Sequence, residues 1–194
     1  MRRAPDEPAI RTRRWSRREY DRLIELGVLH EDEPIELLAG RLVVMEPQRT
    51  LHAVAIQLAG DALRTAFGEG WSVRVQLPLA LDPDSEPEPD VAVVEGSPRD
   101  HLRRHPSAPA LVVEIAHDSL RADRGVKARL YARAMIRDYW IVNLVDRLIE
   151  ARRQPGADAS RRWRYGSLAV VRPGEWLTPL AAPAARIAAD ELLP

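Results

Sequence analysis

The sequence predicts a single mixed α/β domain in which helices cover a β-sheet. Two amphipathic helical segments flank a hairpin pattern near the start, and apolar strand-like runs with one more helical segment follow. Elements in this order pack as a sheet covered by helices. The length of 194 residues fits one domain, which we assign to residues 15–194. Residues 1–14 mix Pro, Arg and acids without periodicity and are predicted to be a mobile arm.

The sequence of the first half of the domain predicts two helices and a hairpin. Ser16 and Glu19 form a Ser-x-x-Glu capping box, which predicts that a helix begins there. The apolar runs on either side of Ala39-Gly40 predict a β-hairpin. Residues 51–67 predict a second helix. Its apolar positions recur at helical spacing: Val54, Leu58, Ala62 and Leu63.

The second half predicts further strands and one helix. Strict alternation of apolar and polar residues over 71–81 predicts one long, half-buried strand. Short apolar runs bounded by turn residues predict buried strands. The remaining predicted segments are strands at 90–94, 111–115, 139–144, 148–150 and 163–171, a helix at 123–135 and a loose loop at 151–160.

The composition narrows the classes of protein and of site. The absence of cysteine excludes disulfides, thiolate zinc sites and cysteine nucleophiles, and leaves oxygen-ligated metals open. No apolar run approaches the ~20 residues of a membrane span, so we expect a cytoplasmic protein without a membrane partner. The 29 basic and 29 acidic residues cancel, so no overall field indicates a polyanionic partner.

Two acids lie where buried strands are predicted. Asp90 opens the run Asp-Val-Ala-Val-Val, and Glu114 lies near the end of Leu-Val-Val-Glu-Ile. A buried carboxylate is costly unless it is paired, hydrogen-bonded or bound to a cation. If the two strands are neighbours, both carboxylates and the backbone carbonyl of Ile115 supply the oxygen ligands that Mg²⁺ prefers. The alternative for Asp90 is a strand-entry residue that caps the preceding Pro-rich loop.

Lys127 is the only lysine in the chain, where arginine otherwise carries the positive charge. It is too far from Glu114 to share its strand, but a helix that folds back beside the strand would bring it to the same place. A lysine there would orient or deprotonate the attacking water and offset phosphate charge. Tyr131 follows it at i,i+4 and shares its helix face. The alternative for Lys127 is a solvated helix residue.

A series of motifs resembles a known bacterial family. In chain order they are Glu36 before the Ala-Gly hairpin, His52 at a helix start, Glu-Pro-Asp-Val-Ala-Val-Val (88–94), Leu-Val-Val-Glu-Ile (111–115), Lys127-x-x-x-Tyr131 and Asp-Tyr-Trp-Ile-Val (138–142). Together they resemble the Uma-type family of restriction-endonuclease-like proteins, within the PD-(D/E)XK nuclease superfamily. The resemblance covers roughly residues 15–150. The chain departs from many relatives at 116–119 and at Asn143.

The resemblance implies a fold, an activity and a set of site residues. The fold is the restriction-endonuclease-like mixed β-sheet flanked by helices. The activity is hydrolysis of DNA phosphodiester bonds by an endonuclease that uses Mg²⁺, with Mn²⁺ as a substitute. Asp90 and Glu114 would hold the metal, and Lys127 would assist the attack of water.

The same resemblance implies auxiliary groups: Glu36, His52 and Tyr131. Glu36 has the alternative of pairing with Arg41 across the hairpin, and His52 that of an ordinary helix-start residue. A basic rim for phosphates is a further option on the third helix, although such a run is usually a solvated face. Its residues would be Arg121, Arg124 and Arg129.

Two other classes of function stay open. One is a catalytically silent nucleic-acid-binding module, or a toxin- or transposon-associated module, on the same fold. The neutral charge favours it slightly, since phosphate contacts usually come from surplus Lys and Arg. The other is a homo-oligomeric structural domain without a nucleic-acid partner. Cleavage of both DNA strands would favour a homodimer.

Overall fold

The computed structural model describes residues 12–30, 33–45 and 47–194. Most of the predicted N-terminal arm, residues 1–11, lies outside the described residues. The strands are β1 (Ile35–Leu38), β2 (Arg41–Val44), β3 (Trp71–Val75), β4 (Val91–Glu95), β5 (Leu111–Ala116), β6 (Asp138–Asn143), β7 (Leu148–Ala157), β8 (Trp163–Val171), β9 (Trp176–Leu177) and β10 (Ile187–Ala188).

A six-stranded mixed sheet with the spatial order β3–β4–β5–β6–β7–β8 forms the centre of the domain. Strands β5 and β6 are parallel, and all other neighbours in this sheet are antiparallel. Strands β1 and β2 form a separate hairpin, and β9 pairs with β10. The predicted mixed α/β class, with a sheet covered by helices, is confirmed.

In the described part of the chain, four α-helical segments accompany the sheet. They are α1 (Arg17–Glu25), α2 (Thr50–Phe67), α3 (Leu120–Ala122) and α4 (Ala128–Arg133), with a π-helical turn at Asp123–Lys127. Two 3₁₀ turns lie at Pro98–His101 and Ala189–Glu191. The capping box of α1 is present as predicted, because the Ser16 amide donates to Glu19 Oε2 at 2.9 Å and Ser16 Oγ accepts from the Glu19 amide. Among the described residues, no helix is both long and apolar enough to cross a membrane.

The two faces of the sheet carry different covers. One face packs against α2 and the C-terminal segment, which contributes Leu177 and Leu192 to the core. The other face packs against the β1–β2 hairpin and α4, with Leu38 and Tyr131 buried there. The parallel pairing of β5 and β6 requires a long crossover, and the helical segment 120–133 supplies it. This crossover carries the helix back over the end of β5.

Helix α2 buries a face that is turned from the predicted one. Ala62 and Leu63 are buried as expected, but Val54 is 40% exposed. The buried stripe consists of Ala55, Ile56, Ala59, Gly60, Ala62, Leu63 and Phe67. Its small residues also recur at helical spacing, and they lie against the sheet in place of the larger Val54.

The long strand predicted over 71–81 is wrong in its second half. Strand β3 ends at Val75, and the next residue, Gln76, has a left-handed φ of 49° that turns the chain out of the strand. Pro78 has no amide hydrogen for a ladder bond. Leu79 is nevertheless fully buried, and its amide donates to the Pro87 carbonyl at 2.9 Å. The alternation of apolar and polar residues over 71–81 therefore indicated the burial of Leu79, but it continued beyond the end of the strand.

The loose loop predicted over 151–160 is also wrong. Strand β7 continues to Ala157 and pairs with β8 as far as Ala157↔Trp163. The arginines that made this stretch look like a loop have partners in the strand ladder. Arg152 pairs with Glu150 at 2.6 Å, and Arg153 Nε donates to Asp138 at 2.9 Å. Paired charges allowed a polar sequence to form a strand.

Glu86 gives the domain a predicted pH dependence. Its backbone pairs with Leu37 of β1, and burial raises the pKa of its carboxyl from 4.5 to about 7 although Arg17 Nε lies 3.5 Å away. A carboxyl with a raised pKa stabilises the fold at low pH, and this contribution is lost as the pH rises through 7. Between pH 4.5 and pH 8, we expect the free energy of unfolding of the wild type to fall by about 3 kcal/mol more than that of Glu86→Gln, as measured by urea unfolding. The exposed Glu69→Gln is the control, and equal pH profiles for all three proteins would contradict the prediction.

Asp138 is predicted to be a major contributor to stability. It is fully buried and accepts hydrogen bonds from Trp140 Nε1 at 2.8 Å, Arg153 Nε at 2.9 Å and the Leu180 amide at 2.8 Å. Asp138→Ala leaves these donors without an acceptor, so we expect the free energy of unfolding to fall by about 3–5 kcal/mol. The control is Asp61→Ala in an exposed helix pair, with an expected loss below about 0.5 kcal/mol. A similar loss for both variants, measured by urea unfolding, would refute this role.

Candidate active site

Lys127 lies at the end of the π-helical turn, and its side chain is only 12% exposed. The Nζ atom lies 3.1 Å from Glu114 Oε1 and 3.4 Å from Glu36 Oε1. The lysine therefore joins the crossover helix to both the central strand β5 and the hairpin strand β1. It is not a solvated helix residue.

Glu114 is a buried acid with two polar partners. Tyr131 Oη donates a hydrogen bond to Glu114 Oε1 at 2.6 Å, and Lys127 contacts the same oxygen. Burial raises the pKa of Glu114 to about 8, against the lowering effect of the Lys127 ammonium. Burial also raises the pKa of Tyr131 well above its ordinary value, so the phenol keeps the proton that it donates.

Asp90 lies directly beside Ile115, because β4 and β5 are antiparallel neighbours. The Ile115 amide donates to Asp90 Oδ2 at 2.7 Å, and His52 Nε2 lies 3.1 Å from Asp90 Oδ1. The hydrogen bond to Asp90 raises the pKa of His52, although burial opposes the shift. Asp90, Ile115 and His52 therefore form one contact group at the start of β4.

Glu36 is the acid that the hairpin contributes. It is 3% exposed, and its Oε2 accepts a hydrogen bond from the Glu88 amide at 3.1 Å. Its cationic partner is Lys127, and the alternative pairing with Arg41 does not occur. Glu36 thus contacts the crossover helix and the loop before β4 instead of the other strand of its own hairpin.

Asp123 is a site residue that the sequence reading missed. It is 1% exposed, accepts a hydrogen bond from Ser119 Oγ at 2.6 Å, and has a pKa raised to about 6 by burial. A usable signal existed, because Asp123, Lys127 and Tyr131 follow each other at i,i+4 spacing on one helix face.

The π-helical turn shapes this helix face. The predicted helix at 123–135 in fact begins at Leu120 and continues as α4 only from Ala128. The Ala128 amide bonds to the Asp123 carbonyl, the i→i−5 pattern of a π turn. Tyr139 Oη also donates to that carbonyl, at 3.1 Å. Such turns are frequent at functional sites.

The predicted basic rim is not a single feature. Arg124 Nε donates to Glu150 at 2.7 Å, so its charge is compensated. Arg121 and Arg129 are exposed. Outside the rim, His117 is exposed and contacts its neighbour Asp118 at 2.7 Å. Arg124 and His117 each have their own acid partner.

The acids in this region outnumber the cations. Burial alone would lower the pKa of Lys127, but the surrounding carboxylates outweigh it and raise the pKa above its ordinary value. In order of effect these carboxylates belong to Glu114, Glu36, Asp123 and Asp90. Within the described part of the chain, no three His, Asp or Glu side chains converge closely enough to form a ready-made metal site. The acids are instead held by lysine, tyrosine, histidine and backbone amides.

Comparison with known proteins identifies the family. The chain has a counterpart in the crystal structure of a putative nuclease belonging to DUF820 from Anabaena variabilis, with a TM-score of 0.65 and 15% sequence identity over 88% of this chain and 96% of that chain. At this identity the likeness shows the fold. No curated protein matches the chain. The family model described as "Uma2: Putative restriction endonuclease" matches residues 17–190. The chain therefore belongs to the Uma2 family.

Proposed function

We propose that the chain is a divalent-metal-dependent endonuclease that hydrolyses phosphodiester bonds in DNA, with Mg²⁺ or Mn²⁺ as its cofactor. Membership of the Uma2 family supports a nuclease role. The observation that carries the proposal is the buried ion cluster in which the Lys127 ammonium contacts Glu114 and Glu36. An acid-rich cluster with a single lysine would provide ligands for a metal ion and a cation for the phosphate.

The donor set fits a hard divalent cation. Asp90 and Glu114 would hold it through carboxylate oxygens, and the backbone carbonyl of Ile115 would add a third oxygen. The hydrogen bond from the Ile115 amide to Asp90 supports this assignment, because it keeps the Ile115 backbone beside that carboxylate. When bound, Mg²⁺ would polarise the phosphate and lower the pKa of a bound water. Glu36 would act as an auxiliary acid on the lysine side of the site.

Lys127 would act as a cation. The carboxylates around it raise the pKa of its ammonium, which favours the charged form. Its ammonium would orient the attacking water by donating hydrogen bonds and would offset negative charge at the phosphate. Tyr131 and His52 would be positioning residues, since their hydrogen bonds fix Glu114 and Asp90.

A catalytically silent nucleic-acid-binding module on the same fold is the second candidate. It is favoured by the internal partners of the two main acids, because Asp90 already contacts His52 and Glu114 already contacts Lys127. A metal ion would have to compete with these contacts. DNA binding without metal-dependent cleavage would select this candidate over the first.

The first test of the nuclease proposal is cleavage of plasmid DNA with Mg²⁺ or Mn²⁺. We expect Asp90→Ala, Glu114→Gln and Lys127→Ala each to lower the cleavage rate at least about 10²-fold, as loss of a preorganised charged group does at other active sites. The exposed Asp61→Asn on α2 should cleave at the wild-type rate.

Loss of folding must be separated from loss of activity in this assay. Lys127→Ala leaves buried carboxylates without their cation, so circular dichroism has to accompany each rate. Glu114→Gln keeps the volume of the side chain and carries the conclusion if Lys127→Ala unfolds. Equal cleavage by the wild type and a folded Glu114→Gln would remove this site from the mechanism.

The second test measures metal binding without catalysis. A metal ion that binds only the folded state stabilises it by about 2.7 kcal/mol at one hundred times its Kd. We therefore expect Mn²⁺ to raise the thermal unfolding midpoint of the wild type. The shift should be lost in Asp90→Asn and Glu114→Gln and kept in Asp61→Asn. A shift that is the same in all four proteins would mean that the ion binds elsewhere.

A further inference from the structure

A groove of about 280 Å³ lies between the β1–β2 hairpin, α4 and the start of β8. Four arginines line it, and its apolar wall includes Leu38, Leu130 and Trp163. The arginines are Arg14, Arg41, Arg129 and Arg133. No acid is among the lining residues, so we call this feature the arginine groove.

The positive charge of the arginine groove is mostly uncompensated. Arg133 pairs with Asp82 at 2.6 Å and with Asp84 at 2.7 Å. Arg14 donates to the Ala39 carbonyl and has no ion pair with an acid of the described residues. Arg41 and Arg129 are exposed and, within the same described ranges, have neither a hydrogen bond nor an ion pair from their guanidinium groups. The groove therefore presents about three free positive charges in a chain whose net charge is zero.

The groove and the candidate active site share two structural elements. On β1, Glu36 belongs to the site, and Leu38, two residues further along, belongs to the groove. On the crossover helix, Lys127 belongs to the site, and the adjacent Val126 lines the groove. The groove therefore lies beside the acid cluster in the fold.

We propose that the arginine groove binds the phosphodiester backbone of the nucleic-acid substrate next to the site of cleavage, an inference that rests on the proposed function. Guanidinium groups present a planar fork of donors that matches phosphate oxygens. Free arginines keep this donor capacity, whereas an arginine such as Arg133 has already committed it to carboxylates. Arg14, Arg41 and Arg129 are the phosphate contacts, and Arg133 shapes the wall.

A nucleic acid fits the groove better than an acidic polypeptide. The acids of the site repel a bare carboxylate chain, whereas a phosphodiester is the group for which the site holds a lysine and metal ligands. The chain has no overall positive charge, so attraction to a polyanion has to come from a local patch. The arginine groove is such a patch, and it lies beside the site.

The test measures binding of a short labelled DNA duplex by fluorescence anisotropy in EDTA, so that no cleavage occurs. We expect the double variant Arg41→Ala/Arg129→Ala to raise the Kd at least about tenfold and to reduce the slope of log K against log salt by about 1.8, since each phosphate contact contributes about 0.9. The matched control is Arg172→Ala, an exposed arginine in the turn after β8 whose side chain has no charged partner among the described residues. It should bind like the wild type.

Three outcomes overturn the assignment of the groove. The first is an unchanged Kd and salt slope in the double variant while wild type still cleaves DNA, which leaves the proposed function standing. The second is an equal loss in Arg172→Ala, which makes the effect one of overall charge. The third is absence of both DNA binding and cleavage in wild type, which removes the proposed function as well. The variant Arg41→Lys/Arg129→Lys tests whether the lost charge causes the weaker binding of the alanine variant. Because it restores both positive charges, it should recover most of the salt slope.

Discussion

The ammonium of Lys127 among buried carboxylates is the interaction on which the rest of the site depends. It contacts Glu36 of the hairpin and Glu114 of the central strand from a position on the crossover helix. Three separate parts of the chain therefore meet at one cation. A buried charge is tolerated only with good partners, and removal of one partner costs more than the pair contributes. The hairpin, the sheet and the helix consequently have one relative arrangement that satisfies these charges.

The π-helical turn is the backbone feature that places Lys127 in this arrangement. It lies between α3 and α4 and ends at Lys127 itself. The carbonyl of Asp123 accepts both the i→i−5 bond and a hydrogen bond from Tyr139, so the widened turn leaves no unsatisfied acceptor there. With Asp123, Lys127 and Tyr131 on the side of the sheet, the helix presents an acid, a cation and a phenol to the same strand. Each of these groups would be costly to bury without the others.

Local signals in the sequence were sufficient for much of the fold. The capping box at Ser16 and the turn at Ala39-Gly40 depend on neighbouring residues, and both occur as predicted. The positions of Asp90 and Glu114 in apolar runs also predicted a functional site, because a buried carboxylate needs a partner in any fold. The structure brings these acids, Lys127 and the other predicted residues into contact groups, while their chemical roles stay predictions.

Features that depend on distant partners could not be predicted in this way. Gln76 turns the chain out of β3 through its left-handed backbone angle, which the alternation of side chains did not predict. Arg152 and Arg153 made a strand look like a loop, because their partners lie elsewhere in the ladder. The lysine partner of Glu36 is equally non-local. For Arg153 and Glu36 the interacting residues are far apart in the sequence, so the pattern around either residue alone does not predict the interaction.

The balance of charge in this chain conceals a separation that the fold creates. Equal numbers of acidic and basic residues give no net charge, yet the acids collect around Lys127 and free arginines collect at the adjacent groove. A cluster of acids alone would attract a metal ion and repel a phosphodiester. Arginines alone would attract the phosphodiester without providing ligands for a metal. Because fields decay within about 10 Å at ordinary ionic strength, both kinds of charge must lie close to the reacting group to act on it. β1 and the crossover helix each contribute to the acid cluster and to the groove within one or two residues, so the two kinds of charge are carried by the same elements.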